Sequence, residues 1–402
     1  MVARLTRLLG PAHVGLAEDT VQEAMLRALR TWPYEGVPDN AAGWLYRVAH
    51  NIAIDAVRRD RSFGEKTDAI VADLTRSGTA VIPGETGMEN PREPVRDDEL
   101  RMIFMCCHPD IPRDASVALS LKTVGGFSVR EIARAFLADE AAIAQRLVRA
   151  KKQIRDRQLT LELPSGAALG ERLDSVLEVL YFLFNEGYTA HEGAELIRRD
   201  LCHEAIRLGR LVADTSLATP RTHALVALMA LQAARFLARV DAAGDLVLLD
   251  DQNRGLWDER LIAIGFAHFD RSMTGDEVSA YHVQAAIAAT HARALTPEML
   301  DWPLILGMYD QLLAIDPSPV IALNRAVAVA KVRGPSEALA AVDALARDPK
   351  LRHYHLLMAV RGQLLAGLGR THEAAISFRE ALDCACSEPE RRFLEKKLAV
   401  VS

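Results

Sequence analysis

Aromatic residues are scarce in this chain. Phe, Trp and Tyr make up only 5% of 402 residues while half of all residues are hydrophobic, so aliphatic side chains must fill the interior. That balance favours helices, since strands draw on aromatic and β-branched residues. Cysteine is scarce too: Cys106, Cys107, Cys202, Cys384 and Cys386 are odd in number and lack paired spacing, which speaks against a disulfide framework. Cys106-Cys107-His108 sets three ligating side chains in a row, but adjacent cysteines hold one ion awkwardly and no second cluster follows, so no metal is expected. No uncharged apolar run reaches the roughly 18 residues of a membrane span, and MVARLTRLLG lacks a hydrophobic core followed by a cleavage site. The chain therefore reads as cytoplasmic, with no membrane partner. A Gly-rich phosphate loop, a nucleophile elbow and an HExxH pattern are also missing, so neither catalysis nor a cofactor is expected.

What is present begins with Phe127 to Arg157, FSVREIARAFLADEAAIAQRLVRAKKQIRDR. Ser128 with Glu131 three residues on reads as a capping box for a helix from Val129 to Ala135 or Phe136. Leu137-Ala138-Asp139 is the turn, and Asp139 is placed to cap a second, longer helix. There Ile143, Leu147, Ala150 and Ile154 recur at helical spacing as a buried seam, leaving Ala142, Gln145, Arg149 and Lys152 opposite and Arg146 at the edge. An apolar stripe that seats the helix, with Gln and Arg to reach base edges and Lys to reach phosphate, is what major-groove reading requires. This segment holds eight basic and four acidic residues.

Charge divides the chain unevenly. The formal net charge is −6, yet residues 1–160 carry 23 basic and 22 acidic side chains, and residues 161–402 carry 25 and 32. An acidic back half will not track a phosphate backbone, so nucleic-acid contact is expected in front and protein contact behind.

Upstream of the helix-turn-helix, residues 15–31 predict a helix with Leu16, Val21, Ala24, Met25, Ala28 and Leu29 inward and Glu18, Asp19, Gln22, Glu23 and Arg27 outward. Trp32-Pro33 should end it, making Tyr34 to Asn40 a loop. Ala42 to Arg59 predicts a third helix packing Trp44, Leu45, Val48, Ile52 and Val57, with a basic end at Arg58 and Arg59. Residues 63–97 read as a linker, and two helices, Asp98 to Cys107 and Asp114 to Val124, follow with Met102, Ile103, Met105 and Leu119 as core.

EDTVQEA at Glu18, GWLYRVAHNIAIDAVRRDR at Gly43 and the later helix-turn-helix together resemble the extracytoplasmic-function RNA polymerase sigma factors. The resemblance implies that the bacterial RNA polymerase core and promoter DNA are the partners. It implies core binding through Asp19, Gln22, Glu23 and Arg27, and minus-10 recognition by the Tyr34–Asn40 loop with Asn51, Arg58 and Arg59. It also implies minus-35 recognition by Ala142, Gln145, Arg146, Arg149 and Lys152. Relative to that family the first helix is expected to be short by a turn or two. A loop with Tyr34 and Asn40 beside Asn51, Arg58 and Arg59 independently offers stacking and phosphate groups to an unpaired strand.

Sigma factors of this type usually end near Thr160, whereas 242 residues follow here. LYFLFNEGY at Leu180, LLDDQNRGLWD at Leu248, YHVQAAIAATHA at Tyr281, ALNRAVAVAKVRGP at Ala322 and SEPERRFLEKKL at Ser387 resemble a subgroup with a tetratricopeptide-like extension. The residues alone predict a helical face at Leu169, Leu173, Val176, Leu177, Leu180 and Phe184, and helices over His203–Ala213, Thr222–Val240 and Trp257–Asp270. Two related helix-turn-helix segments near the end place Gly334 and Gly369 35 residues apart, the period of a tetratricopeptide array. Asn185, Glu186, His191, Glu192, Glu195 and His203 lie close in sequence but in no hydrolase pattern. Asn185, Glu186 and Tyr188 are expected to tie off a helix end, and Asp251, Asn253, Arg254 and Trp257 a turn.

The expected fold is all-α. Region 2 takes 1–62, the linker 63–97, region 4 98–160, a helical extension 161–290 and tetratricopeptide-like repeats 291–402. The extension is expected to regulate activity, through a signalling protein or an intramolecular contact. The alternative is a helix-turn-helix regulator with a repeat sensor that never joins polymerase; the motifs at Glu18 and Gly43 are what separate the two.

Overall fold

The computed structural model describes residues 1–59, 97–159, 167–189, 196–384 and 386–402. The linker expected at 63–97 therefore lies outside the described residues except for Asp97, as do His191, Glu192 and Glu195. Helices account for the regular structure, and the one β-type pairing among the described residues is an isolated bridge between Val240 and Leu246. The chain forms two compact units: residues 1–133 with 139–179, and residues 134–138 with 180–402.

In the first unit, α1 (Val2–Leu9), α2 (Val14–Glu35) and α3 (Ala41–Arg59) enclose Leu5, Leu9, Ala17, Val21, Ala24, Tyr46, Ala49, Ala53 and Val57. The many alanines let the helix axes approach closely, which sets the spacing of the bundle. Two expectations need correction here. The second helix does not stop at Trp32-Pro33 but runs to Glu35, where the Gly36 N–H bonds the Trp32 carbonyl at 2.9 Å. Proline lacks only one donor and sits in the last turn, so the helix closes around it, and Tyr34 becomes a helical residue. The inward face of α3 is Tyr46, Ala49, His50, Ala53 and Val57, with Trp44, Leu45, Val48 and Ile52 only half-buried. Trp44 instead meets Trp32 edge-to-face at 5.5 Å and fastens the start of α3 to the end of α2.

The helix-turn-helix module comprises α4 (Asp98–Cys106), α5 (Arg113–Thr123), α6 (Val129–Ala135) and α7 (Glu140–Asp156). Asp97 caps α4, accepting from the N–H groups of Glu99 and Leu100 at 3.0 Å. Met102, Ile103, Met105 and Leu119 are fully buried as expected, together with Phe104 and Phe127. The capping box on α6 is present in both directions: Ser128 N–H to Glu131 Oε2 at 2.6 Å, and Glu131 N–H to Ser128 Oγ at 3.1 Å. Ser128→Ala should accordingly lower the unfolding free energy by about 1 kcal/mol in urea denaturation, with the urea slope unchanged. Asp139 occupies the N-cap position of α7, but its side chain makes no capping hydrogen bond. The turn before it holds Leu137 at φ 48, an unusual conformation for a branched side chain.

Among the described residues, ion pairs connect the modules inside this unit: Lys151 of α7 with Glu18 of α2, and Arg7 with Asp98 at 2.8 Å. The first half of α8 (Ala167–Tyr188) also belongs here, and the buried Arg172 donates to the Phe104 carbonyl at the end of α4, at 3.1 Å.

The second unit carries the rest of α8, followed by α9 (Arg199–Ala213), α10 (Pro220–Ala233), α11 (Glu259–Ser272) and α12 (Ala280–Arg293). The face expected on α8, Leu169 through Phe184, is buried. The helix expected over Thr222–Val240 is shorter, ending at Ala233 and giving way to a 3₁₀ turn at Phe236–Ala238. Then come α13 (Trp302–Ile315), α14 (Pro319–Arg333), α15 (Pro335–Leu345), α16 (His355–Gly367), α17 (Thr371–Leu382) and α18 (Glu388–Val401). Gly334 and Gly369 make the turns between α14 and α15 and between α16 and α17, at φ 94 and 75. Residues with a Cβ avoid that region, so each glycine permits a tight reversal. Val283, Leu306, Leu323, Val342, Leu365 and Phe378 belong to one continuous core through these helices.

Candidate polymerase and promoter surfaces

The recognition helix α7 is seated by its apolar seam: Ile143, Leu147, Ala150 and Ile154 are all buried. That orientation leaves Gln145, Arg149 and Lys152 exposed, with Ala142 and Arg146 half-buried beside them. Arg146 is drawn toward Asp114 at 3.7 Å, whereas Arg149 and Lys152 have no ion-pair partner among the described residues. A groove of about 760 Å³ runs between the start of α5 and this helix, lined by Arg113, Asp114, Arg146, Arg149, Lys152 and Gln153. Gln153 donates to the Asp110 carbonyl at 3.1 Å, and Arg157 pairs with Asp110 at 2.9 Å, bracing the C-terminal part of the helix. The structure thus brings the five expected minus-35 residues onto one helix surface.

On α2, Asp19 and Gln22 are exposed, and Glu23 accepts from Arg27 at 3.0 Å. A solvent-exposed pair of this kind contributes little and leaves both groups available. Sequence reasoning missed the feature beside them. Met25, Leu26 and Leu29 are 47%, 48% and 73% exposed, and with Gln22 they share one face at i, i+3, i+4 and i+7. Met25 and Leu29 had fitted an inward stripe; the register of α2 is instead set by Val14, Ala17, Val21, Ala24 and Ala28. The signal was available: two apolar sets lie on this helix and α1 and α3 can cover only one.

The expected minus-10 residues are dispersed over a helix end, a cap and a helix flank. Tyr34 is 90% exposed on the final turn of α2. Asn40 caps α3, its Oδ1 accepting from the Gly43 N–H at 2.7 Å, which leaves its amide NH₂ as a donor. Asn51 and Arg58 are exposed on α3; Arg59 is its last residue, and its side chain lies outside the described residues.

Cys106 and Cys107 are buried, and burial pushes the Cys106 thiol up to about 12, the direction opposite to a thiolate ligand. Among the described residues no group of three or more His, Cys, Asp or Glu side chains is placed to hold a metal ion, and no helix is long and apolar enough to cross a membrane.

Parts of the chain match known families. Residues 1–63 match Sigma-70 region 2, residues 101–154 match Sigma-70 region 4, and residues 172–273 match a family of unknown function, DUF6596. An uncharacterized protein of Rhizobium meliloti is 42% identical over 387 residues, 96% of this chain and 90% of that protein. The ECF RNA polymerase sigma-E factor of Escherichia coli K12 is 30% identical over 142 residues, 35% of this chain and 72% of that factor. Its Salmonella typhimurium LT2 counterpart is 29% identical over the same length. No solved structure matches the chain. The chain belongs to the ECF RNA polymerase sigma factors. It is a transcription initiation factor and not an enzyme, and its partners are RNA polymerase core and promoter DNA. The region 2 match is what sets aside a helix-turn-helix regulator that works without polymerase.

Proposed function

We propose that this sigma factor acts in the cytoplasm through three surfaces. The α2 face of Asp19, Gln22, Glu23 and Arg27, with Met25, Leu26 and Leu29, docks on polymerase core. Tyr34, Asn40, Asn51, Arg58 and Arg59 engage the opened minus-10 element, and Gln145, Arg146, Arg149 and Lys152, with Ala142 allowing close approach, read minus-35. The observation that carries this reading is the exposed, unpaired Arg149 and Lys152 on a helix whose opposite side is buried. Region 2 then spans 1–62, the linker 63–97 and region 4 98–160.

Arg149→Ala is expected to weaken minus-35 use by about 1–3 kcal/mol at a matched promoter and hardly at a mismatched one, as fits a bidentate base contact. Competitive promoter-binding titrations check this. An equal small loss on every sequence would reassign Arg149 to phosphate.

The extension, residues 161–290 with tetratricopeptide-like repeats over 291–402, regulates the factor. Support comes from the stacking of Phe136, in the helix-turn-helix turn, on Phe182 of α8 at 4.9 Å within the second unit. A change in the extension that disturbs this stack would reach the turn that precedes α7 in the chain. Run-off transcription with reconstituted polymerase, comparing the full chain with a chain ending at Thr160, tests the proposal. Equal yields would reject regulation by the extension, and failure of both to initiate would reject the promoter-reading assignment.

A further inference from the structure

The turn motif LLDDQNRGLWD was expected to tie itself down locally, and Asn253 does so, accepting from the Gly255 N–H at 3.0 Å. Arg254 does not. It reaches across to α12, where its Nη1 donates to the carbonyls of His291 and Ala294 at 2.6 and 2.7 Å. Two more guanidinium groups lie in the same region of the second unit: Arg235 shares the Trp257 ring with Arg254, and Arg239 shares the Tyr188 ring with Arg235. Arg239 lies 3.8 Å from the centre of the Tyr188 ring and donates to the Tyr188 carbonyl. Arg235 donates to the Tyr188 hydroxyl and sits 5.8 Å from the Trp257 ring, the same ring that Arg254 covers at 4.8 Å.

Proteins bury a guanidinium only where its charge and its N–H groups are matched. None of these three arginines forms an ion pair among the described residues. The nearby Asp250 is engaged by Lys331 at 2.6 Å, so its charge is shared between that cation and Arg254. Orphaned nitrogens gather at the same place: Arg235 Nε, Arg254 Nε and Nη2, Trp257 Nε1 and His291 Nδ1 are all shut off from solvent with no hydrogen-bond partner. An aromatic ring accounts for part of the charge but for none of the in-plane N–H groups. Two guanidinium groups thus converge on one tryptophan with donors that no protein group meets.

We infer that Arg235, Arg254 and the Trp257 indole N–H form a binding site in the extension for a small oxyanionic metabolite, its phosphate or carboxylate group seated between the two guanidinium forks. Planar guanidinium groups match both headgroups two bonds at a time, and the indole supplies a third, neutral donor. Arg239, already spent on the Tyr188 and Thr189 segment, contributes field and not a direct contact. The site stands whether or not the surfaces proposed above prove correct, because it concerns binding by the extension itself.

Thermal melting of the full chain tests it, with inorganic phosphate, citrate and acetate each titrated against sodium chloride at matched ionic strength. A ligand of the native state raises the melting temperature along a saturating curve, while screening by chloride does not distinguish anions. The expected result is a saturating rise of a few degrees with phosphate or citrate, and the better of the two tells phosphate from carboxylate chemistry. Trp257→Phe keeps the ring and removes one donor, so apparent affinity should fall about tenfold. Arg254→Lys keeps the charge but loses the fork, and should fall further. No saturating rise with any of the three anions, or a rise that Trp257→Phe and Arg254→Lys both leave unchanged, overturns the site.

Discussion

Leu29→Asp combined with Met25→Asp should abolish co-elution of the chain with RNA polymerase core while leaving its far-ultraviolet circular dichroism and melting temperature near those of the unaltered protein. Both side chains are substantially exposed, so neither change empties the core formed by Val21, Ala24, Tyr46 and Ala53. If this face docks on core as proposed, the same positions meet an apolar partner surface, where each carboxylate would be buried without a match. Interface anchors of this kind cost about 2–4 kcal/mol when truncated, and a charge there costs more, so a combined loss of at least a hundredfold in affinity is expected. Asp19→Ala and Arg27→Ala should instead have small effects that vanish at high salt, since exposed charges are screened. If the double variant binds core as tightly as the unaltered chain, the docking face is misassigned.

Acidification should unfold the second unit before ordinary carboxylate titration does. His268 and His291 are both buried, and burial depresses each imidazole from 6.5 to about 4; the facing His223 adds to the effect on His268, and Arg235 and Arg254 to that on His291. A histidine whose native pKa lies below its unfolded value binds its proton more readily in the unfolded chain. Stability is therefore complete above about 6.5 and falls as the pH drops toward 4, by about 2 kcal/mol from each residue at pH 5. His223 and His268 face each other Nδ1 to Nδ1 at 3.0 Å, a geometry in which one nitrogen must accept, so a second proton also breaks their bond. Melting curves at pH 7, 6 and 5 check this, and His268→Gln should recover roughly half of the acid-induced loss. A melting temperature flat over that interval would show that these rings are already accessible to protons.

Much of the architecture was legible because helices announce themselves through spacing. The seam of Ile143, Leu147, Ala150 and Ile154 could be buried in one way only, and burying it displayed Gln145, Arg149 and Lys152 without further information. The capping box at Ser128 was equally local. The failures share a physical cause, which is that tertiary packing chooses between locally equivalent options. On α2, Met25 and Leu29 were as good an inward stripe as Val21 and Ala28 until α1 and α3 selected one. Pro33 looked like a terminator because its position relative to the last turn depends on Gly36. Arg254 looked like a turn residue because nothing within ten positions reveals that the carbonyls of His291 and Ala294 await it.

The ion pairs Lys151–Glu18 and Arg7–Asp98 join the region 2 and region 4 modules, the first through a largely buried Glu18 carboxylate and the second through more exposed groups. If, as proposed, the two modules take separate stretches of one duplex, these pairs lie where the modules would have to part. Added electrolyte loosens the pairs but also weakens attraction to the phosphate backbone. With the two tendencies opposed, promoter occupancy is expected to pass through a maximum at an intermediate ionic strength instead of declining steadily.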